Sequence, residues 1–468
     1  MDARPAASIR RFDIYALGLI VILGAGLRLA SLGAAELSPD EAASWAAASA
    51  PTVLGVLHRQ AQLNPGKLPL YEIVLHGWIG LAGDGVAAMR GLGLLFGLIA
   101  IALTYYLGRE LMLLDDISLP AAQRVGLSSA LLFAVSLVMV KYARQVRMYE
   151  PMLALVLAQS LCLLATLRHA SWPRYLTIVL LVVLALGANM MAVWVFAAQG
   201  LWLLCCWTPA KERKPAARWG ALAAIVAGVL LTAPMLWIDL RISEGRLDSG
   251  ALLWIHRPDL SELFSFFNRG SGTFPFPLLA LLAIWGAIAR WRVRRALISF
   301  ALFWMWLPVV MLLLVSWLIT PMLVERYALT CFVPFFVLAA LGVESISSRI
   351  WAAGALGLLV ALSLAHTVAF LRTPLDNSWR RAADAIAASG QPGPILFSPP
   401  APEAVMAYYL GSDYRFLTLE NPNACTDATI FVWWDHDLGA ARRQAAQACA
   451  KAYRTPIYHH ADLTILSR

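Results

Sequence analysis

The chain has 468 residues, of which 60% are hydrophobic and 14% charged, with a mean hydropathy of +0.68 and a formal net charge of +9. That composition excludes an ordinary soluble globular protein, and apolar runs that are continuous rather than alternating exclude a β-barrel. What remains is an α-helical polytopic membrane protein, whose positive charge is scattered over short inter-helix loops and so reports topology rather than a nucleic-acid partner.

Arg4, Arg10 and Arg11 precede the first apolar stretch, Ile14 to Leu32. It is long enough to span and lacks a convincing Ala-x-Ala exit, so a retained helix is expected rather than a cleaved signal. Spanning segments are predicted near 13–34, 86–108, 124–140, 149–167, 175–188, 190–207, 219–238, 276–289, 296–319, 328–343 and 351–371, about eleven in all. The densest basic runs, Lys211-Glu212-Arg213-Lys214 and Arg290-Trp291-Arg292-Val293-Arg294-Arg295, fall on the side of the N-terminus, which is therefore expected in the cytoplasm. An odd number of spans then puts the C-terminus outside.

After the first segment comes an outer loop, about 35–85, whose amphipathic stretches Ala42 to Leu57 and Pro69 to Leu81 are expected to lie along the membrane surface. The loop opens with Leu37-Ser38-Pro39-Asp40-Glu41. Ser38 as N-cap, Pro39 at the first helical position and Glu41 three residues after the cap make a capping box. That account uses Glu41 and not Asp40. At the second helical position Asp40 gains about 0.3–1 kcal/mol from the helix dipole, stays ionised, and is suited to accept a proton from a hydroxyl or to orient it. The acidic pair thus has two readings, a helix cap and a catalytic carboxylate. Further on, Lys67 in the turn-rich piece Asn64-Pro65-Gly66-Lys67-Leu68-Pro69-Leu70-Tyr71 is either a phosphate contact or a solvated loop lysine.

Between the third and fourth segments, Lys141-Tyr142-Ala143-Arg144-Gln145-Val146-Arg147-Met148-Tyr149-Glu150-Pro151 places three cations where the positive-inside rule disfavours them. Spaced three apart, Lys141, Arg144 and Arg147 would share a broad helix face, and the arginine fork matches phosphate oxygens. Snorkelling to lipid headgroups is the bland alternative. A second outer loop, near 239–275, mixes Trp254, His256, Arg257, Phe264, Phe266, Phe267 and Arg269, which suits an interface belt or a sugar or lipid-phosphate site. Arg326, in Val324-Glu325-Arg326-Tyr327-Ala328, lies at the outer end of the tenth segment, where Glu325 is its simplest partner.

Beyond Leu371 the composition becomes that of a soluble domain. Helices are predicted over Trp379 to Ala388, Pro402 to Leu410 and Leu438 to Tyr453, and strands over Pro394 to Ser398 and Thr429 to Trp433, a small α/β domain on the outer face. Cys425 and Cys449 lie in it and form a candidate disulfide outside the cytoplasm, while the other four cysteines fall in apolar segments. Asp435-His436-Asp437 resembles a ligand set, but adjacent residues at a strand end cannot all converge on a metal.

Four of these local patterns, in their order, resemble the GT-C superfamily of polytopic glycosyltransferases, in the branch of protein O-mannosyltransferases and lipid A aminoarabinose transferases, similar to glycosyltransferase family 39. The first is Asp40-Glu41. The second runs from Pro69-Leu70-Tyr71 into Leu75-His76-Gly77-Trp78, Met89-Arg90 and Gly108-Arg109-Glu110-Leu111; the third is Arg144-Gln145-Val146-Arg147-Met148-Tyr149; the fourth is Glu325-Arg326-Tyr327 with Val333-Pro334. Together they cover roughly residues 10–345. The chain departs from many relatives in reading Lys67-Leu68-Pro69-Leu70-Tyr71 where they carry a His-Pro-Pro-Leu-Tyr-like stretch, which leaves sugar and acceptor unassigned.

The resemblance implies a two-part organisation: a transmembrane catalytic domain, 1–371, with its first loop on the periplasmic face, and a periplasmic domain, 372–468. It implies inverting transfer of a sugar from a polyprenyl-phosphate donor to a lipid, glycan or protein acceptor at a bacterial inner membrane. Asp40 would be the catalytic carboxylate with Glu41 beside it. Arg144, Arg147 and Arg326, then Lys141 and Lys67, would hold the donor phosphate, and Tyr71, Tyr149, Trp254 and His256 would line the substrate pocket. A single displacement needs no enzyme nucleophile; no cofactor is required, although the chemistry leaves room for a divalent cation. A transporter or flippase of a lipid-linked sugar is the rival, but its internal repeats and midplane charges are not evident here.

Overall fold

Long apolar runs leave the backbone no water to bond, so they close their hydrogen bonds internally as helices. The computed structural model describes residues 11–63, 67–114, 118–205, 215–247, 255–373, 375–391, 393–398, 403–411, 414–419, 423–435 and 440–468. Trp254, Asn64-Pro65-Gly66, His436, Asp437 and the basic run from Lys211 to Lys214 lie outside the described residues.

Among the described residues six helices are long and apolar enough to cross a bilayer: Arg11–Leu29, Val86–Leu113, Tyr149–Arg168, Ala216–Ile238, Arg295–Leu318 and Arg349–Arg372. Two bent pairs raise the number to eight: Leu119–Val135 with Leu137–Ala143, turned by 60°, and Glu262–Ser271 with Pro275–Arg290, turned by 111°. Length therefore does not support eleven spans. The other three expected segments fall on shorter apolar helices, Trp172–Ala188, Met190–Cys205 and Leu329–Glu344. Trp172–Ala188 has 17 residues, so at 1.5 Å per residue it reaches about 25 Å against a hydrocarbon core of roughly 30 Å. Asn189 ends it; its side chain accepts from the Met191 N–H and opens the next turn.

Packing divides the chain into two compact units. The first comprises the described parts of Met1–Ala30, Arg90–Asp239 and Arg257–Thr373 and contains the long helices. The second comprises those of Ser31–Met89, Leu240–His256 and Pro374–Arg468. The described residues of the first outer loop thus pack in the same unit as those of the C-terminal part.

In the second unit the loop forms three helices, Pro39–Ala48, Val53–Leu63 and Leu70–Ala82. The single amphipathic stretch expected from Ala42 to Leu57 is split at Ser49-Ala50-Pro51, because a proline lacks the N–H that would continue the helix. Polar contacts hold the three together: Ser44 Oγ donates to Glu72 Oε1 at 3.2 Å, Arg59 donates to the Ala46 carbonyl at 3.1 Å, and His76 Nδ1 lies 2.8 Å from the Ala48 carbonyl.

The C-terminal part carries helices Ser378–Ala388, Glu403–Leu410 and Ala440–Ala450 around a five-stranded sheet of order β2-β1-β3-β5-β4. Its strands are β1 (Ile395–Ser398), β2 (Phe416–Thr418), β3 (Ile430–Trp434), β4 (Thr455–His460) and β5 (Leu463–Ser467). β1 pairs in parallel with β2 and β3, while β5 runs antiparallel to both β3 and β4. Leu396, Phe431, Ala446 and Tyr453 form part of its core, and a Cys425–Cys449 disulfide closes one side with Cα atoms 5.6 Å apart.

Candidate active site

In the second unit the acidic pair sits in the first turn of Pro39–Ala48, and its two members do different work. The Ser38 N–H and hydroxyl both donate to Glu41 Oε2 at 3.0 Å, and the Glu41 N–H donates back to Ser38 Oγ at 3.3 Å. That is the capping box, with Glu41 buried inside it. Asp40 takes no part in the cap and is half-buried.

The chain just before this helix is fixed to the C-terminal domain. The Trp379 and Arg380 N–H groups donate to the Glu36 carboxylate at 3.3 and 2.9 Å, so Glu36 caps the helix Ser378–Ala388 from 343 residues away. The Glu36 N–H donates to Asn377 Oδ1 at 3.2 Å, and the Leu37 N–H donates to the Tyr409 hydroxyl at 3.0 Å. Trp45 packs edge-on against Tyr408 with centroids 4.9 Å apart. Burial raises the Glu36 carboxyl above its ordinary pKa, although the two amide donors pull the other way. Tyr71 is buried at the start of Leu70–Ala82, Lys67 is half-buried in the turn before it, and His256 is exposed.

The cation segment belongs to the first unit, and there the expectation of one helical face fails. Leu137–Ala143 ends at Ala143, residues 144–148 form a turn, and Tyr149 starts a new helix. Lys141 is left exposed with its Nζ 5.3 Å from the Tyr142 ring centre, Arg144 is half-buried, and Arg147 is buried. The turn is pressed against Val86–Leu113 at Gly93, where a Cβ would come within 2.8 Å of the Ala143 carbonyl oxygen and 3.2 Å of that of Gln145. Burial, and then the neighbouring Arg90, hold the Arg144 guanidinium below its ordinary pKa. A desolvated cation beside a like charge is a place where an anion is favoured.

Arg326 sits on the single-turn helix Glu325–Tyr327. Its guanidinium lies 5.4 Å from the Tyr327 ring centre, and Tyr142, which packs edge-on against Tyr149 at 5.2 Å, feels the charges of both Glu325 and Arg326. Glu325 is bound by Arg269 at 2.6 Å, and Arg269 also binds Glu262 at 2.6 Å. So the cation of the second aromatic loop is taken up by a local ion-pair network. Phe266 and Phe267 from that loop are buried, packing on Phe332 at 5.5 and 5.6 Å. They serve as core, while Phe264 is exposed.

No family model matches the chain, and no characterised relative matches it by sequence. Its structure matches that of ArnT from Cupriavidus metallidurans in the apo state with a TM-score of 0.63 at 13% identity, covering 96% of this chain and 97% of that one. This chain has the GT-C fold. Two more distant matches agree. Archaeal oligosaccharyltransferase AglB from Archaeoglobus fulgidus, in complex with an inhibitory peptide and a dolichol-phosphate, gives a TM-score of 0.55 at 10% identity over 94% of this chain and 71% of that one. Arabinofuranosyltransferase AftD from Mycobacteria gives 0.51 at 13% identity over 99% and 42%.

Within this fold Arg144, Arg147 and Tyr149 follow one another along the turn and the helix after it, with Lys141 exposed just before them and Arg326 close enough to act on Tyr142, while Asp40, Glu41 and Tyr71 lie on packed helices of the other unit. Sequence reasoning missed Glu36 and Tyr409, whose partners lie hundreds of residues away and leave no local signal. It also missed Gly93 and Gly97, a small-xxx-small pair of the kind that lets helices in a bilayer approach closely. Among the described residues no group of three or more His, Cys, Asp or Glu could hold a metal ion.

Proposed function

We propose that this protein is an inverting glycosyltransferase that moves a sugar from a polyprenyl-phosphate donor to a lipid, glycan or protein acceptor. The observation that carries the reading is the turn 144–148, which half-buries Arg144 beside Arg90 and buries Arg147, in a chain of GT-C fold. The lipid class is supported by the neighbours: one ArnT structure is bound to undecaprenyl phosphate, and the AglB complex contains a dolichol-phosphate.

In the reaction, the acceptor oxygen attacks the anomeric carbon as the bond from that carbon to the phosphate oxygen breaks, inverting the centre. Negative charge grows on the departing phosphate, and Arg144, Arg147 and Arg326 stabilise it; fixed cations in a site shielded from water do this without reorganising. Lys141 and Lys67 are weaker candidates for the same role. Asp40 orients the acceptor hydroxyl and takes its proton. Glu41 holds the helix turn that presents Asp40, and Tyr71 and Tyr149, with Trp254 and His256, contribute to the substrate pocket. The proposed setting is a bacterial inner membrane, with the N-terminus cytoplasmic and the C-terminal domain periplasmic.

The test is to incubate membranes containing wild type or Asp40→Asn with polyprenyl-phosphate sugars, hexosyl and pentosyl, and to follow release of polyprenyl phosphate. Loss of the proton acceptor should slow turnover by about 10²–10⁴-fold. Equal rates would remove Asp40 from the mechanism. No turnover by wild type with any donor would turn the assignment toward a flippase.

A further inference from the structure

Two helix breaks in the first unit meet on one turn of the helix Arg349–Arg372. The first is the 60° bend at Ser136, between Leu119–Val135 and Leu137–Ala143; the second is the 111° bend between Glu262–Ser271 and Pro275–Arg290. No glycine or proline lies between Leu131 and Val140, so the first bend is not encoded locally and must come from a group inserted into the helix ladder. Thr367 is that group. Its hydroxyl donates at 2.9 Å to the Val135 carbonyl, the acceptor that an unbroken helix would offer to the Met139 N–H. Arg28 Nη1 takes the carbonyl before it, that of Ala134, at 3.0 Å. Carbonyls left over at the end of Leu119–Val135 are thus satisfied by side chains from other helices.

The Thr367 contact differs from those of other hydroxyls on the apolar helices. Thr104, Ser129, Ser160, Thr166, Thr232 and Ser316 each bond back to the carbonyl four residues earlier in their own helix. Thr367, fully buried, instead reaches a helix 232 positions away. Its neighbour His366 meets the second bend. At Gly272, where φ is 94°, a Cβ would lie 2.8 Å from His366 Nε2, so the ring occupies the space that a side chain would need. Both bends lead to cations. The short helix after the first runs into the turn 144–148, and Glu262–Ser271 packs on that short helix and on Glu325–Tyr327, which bears Arg326. Arg269, on Glu262–Ser271, also binds Glu325 at 2.6 Å.

We infer that His366 and Thr367 are positioning residues: their turn pins both bends and so sets the spacing between the element that carries Arg144 and Arg147 and the one that carries Arg326. The staple rests on the reading of those arginines as the donor-phosphate holders. Without the Thr367 hydroxyl, the Val135 carbonyl is left unpaired inside the bundle. Pairing with the Met139 N–H then becomes the better arrangement, and it straightens the bend and swings the cation turn away from Glu325–Tyr327.

The test uses the full chain in lipid nanodiscs, with undecaprenyl phosphate as the binding probe and thermal unfolding as the control for folding. Thr367→Val keeps the shape and removes the hydroxyl. It should unfold close to the wild-type temperature yet bind the probe at least about tenfold more weakly, the size expected when a charge-assisted contact is misaimed. Thr367→Ser, which restores the donor, should recover most of that affinity. A folded Thr367→Val with wild-type Kd overturns the staple, and so does a Thr367→Ser that binds as weakly as Thr367→Val, since the hydroxyl is then not what acts. If Thr367→Val does not fold, His366→Ala decides, and a wild-type Kd measured below its unfolding temperature again overturns the staple. Failure of wild type to bind the probe, or binding by Arg147→Ala as tight as wild type, instead overturns the phosphate-site reading on which the staple depends.

Discussion

Asp40 rides on a helix whose approach is set by three hydrogen-bonding residues, Glu36, Asn377 and Tyr409, at the half-buried edge of a soluble domain. Arg144 and Arg147 instead ride on a turn wedged against a glycine of a membrane helix. Water can replace a hydrogen bond at a half-buried edge, so the first arrangement should yield by degrees. Nothing replaces a backbone contact inside a packed bundle, and the second should yield abruptly.

The sharpest way to break that contrast is Gly93→Ala. The added methyl meets backbone oxygens at 2.8 and 3.2 Å, which cannot rotate away, so the turn must move. A displacement approaching 1 Å is worth about 10²-fold in kcat/KM for polyprenyl-phosphate sugar, whereas a loss under about threefold would show that the turn tolerates being pushed. On the other unit, Glu36→Ala removes the cap of Ser378–Ala388 and should cost about 0.5–2 kcal/mol of that unit's stability, read by thermal unfolding, with a several-fold fall in turnover. Tyr409→Phe deletes one contact to the Leu37 N–H, and about 0.5–1.5 kcal/mol, or roughly 2–12-fold in turnover, is the expected loss.

The smallest effect is a pH dependence. Because the Glu36 pKa is raised on folding, its contribution is complete below the unfolded value and is lost as pH rises through the folded value. Acidifying from pH 7 toward 5 should therefore protect the Ser378–Ala388 amides slightly better against hydrogen exchange, and Glu36→Gln should remove the trend. Loss of protection on acidification would assign the contact to the ionised carboxylate.

These contrasts also explain what could be read in advance. The long helices were legible because lipid imposes them, and the Ser38–Glu41 cap because it closes within four residues. The turn at 144–148 was not. It contains no glycine or proline, so spacing alone extended the helix through it and placed Lys141, Arg144 and Arg147 on a face that does not exist. β2 is three residues long, and the β4–β5 hairpin turns at Ala461, with φ of 52°, in place of the glycine or asparagine that usually marks such a turn. Arg28 did leave a signal, a lone cation inside the first apolar run, and an ionisable residue there is a functional hypothesis by default.

The contact between Glu36 and Asn377 spans 341 residues. At about 5–20 residues per second of synthesis, the helix bearing Asp40 waits roughly 20 to 70 seconds for its dock to be made. A chain stopped before Pro374 would already hold every predicted membrane segment and the whole arginine turn, yet none of the groups that fix Leu37. Until those residues are made, the helix that bears Asp40 is complete but its approach is not held in place.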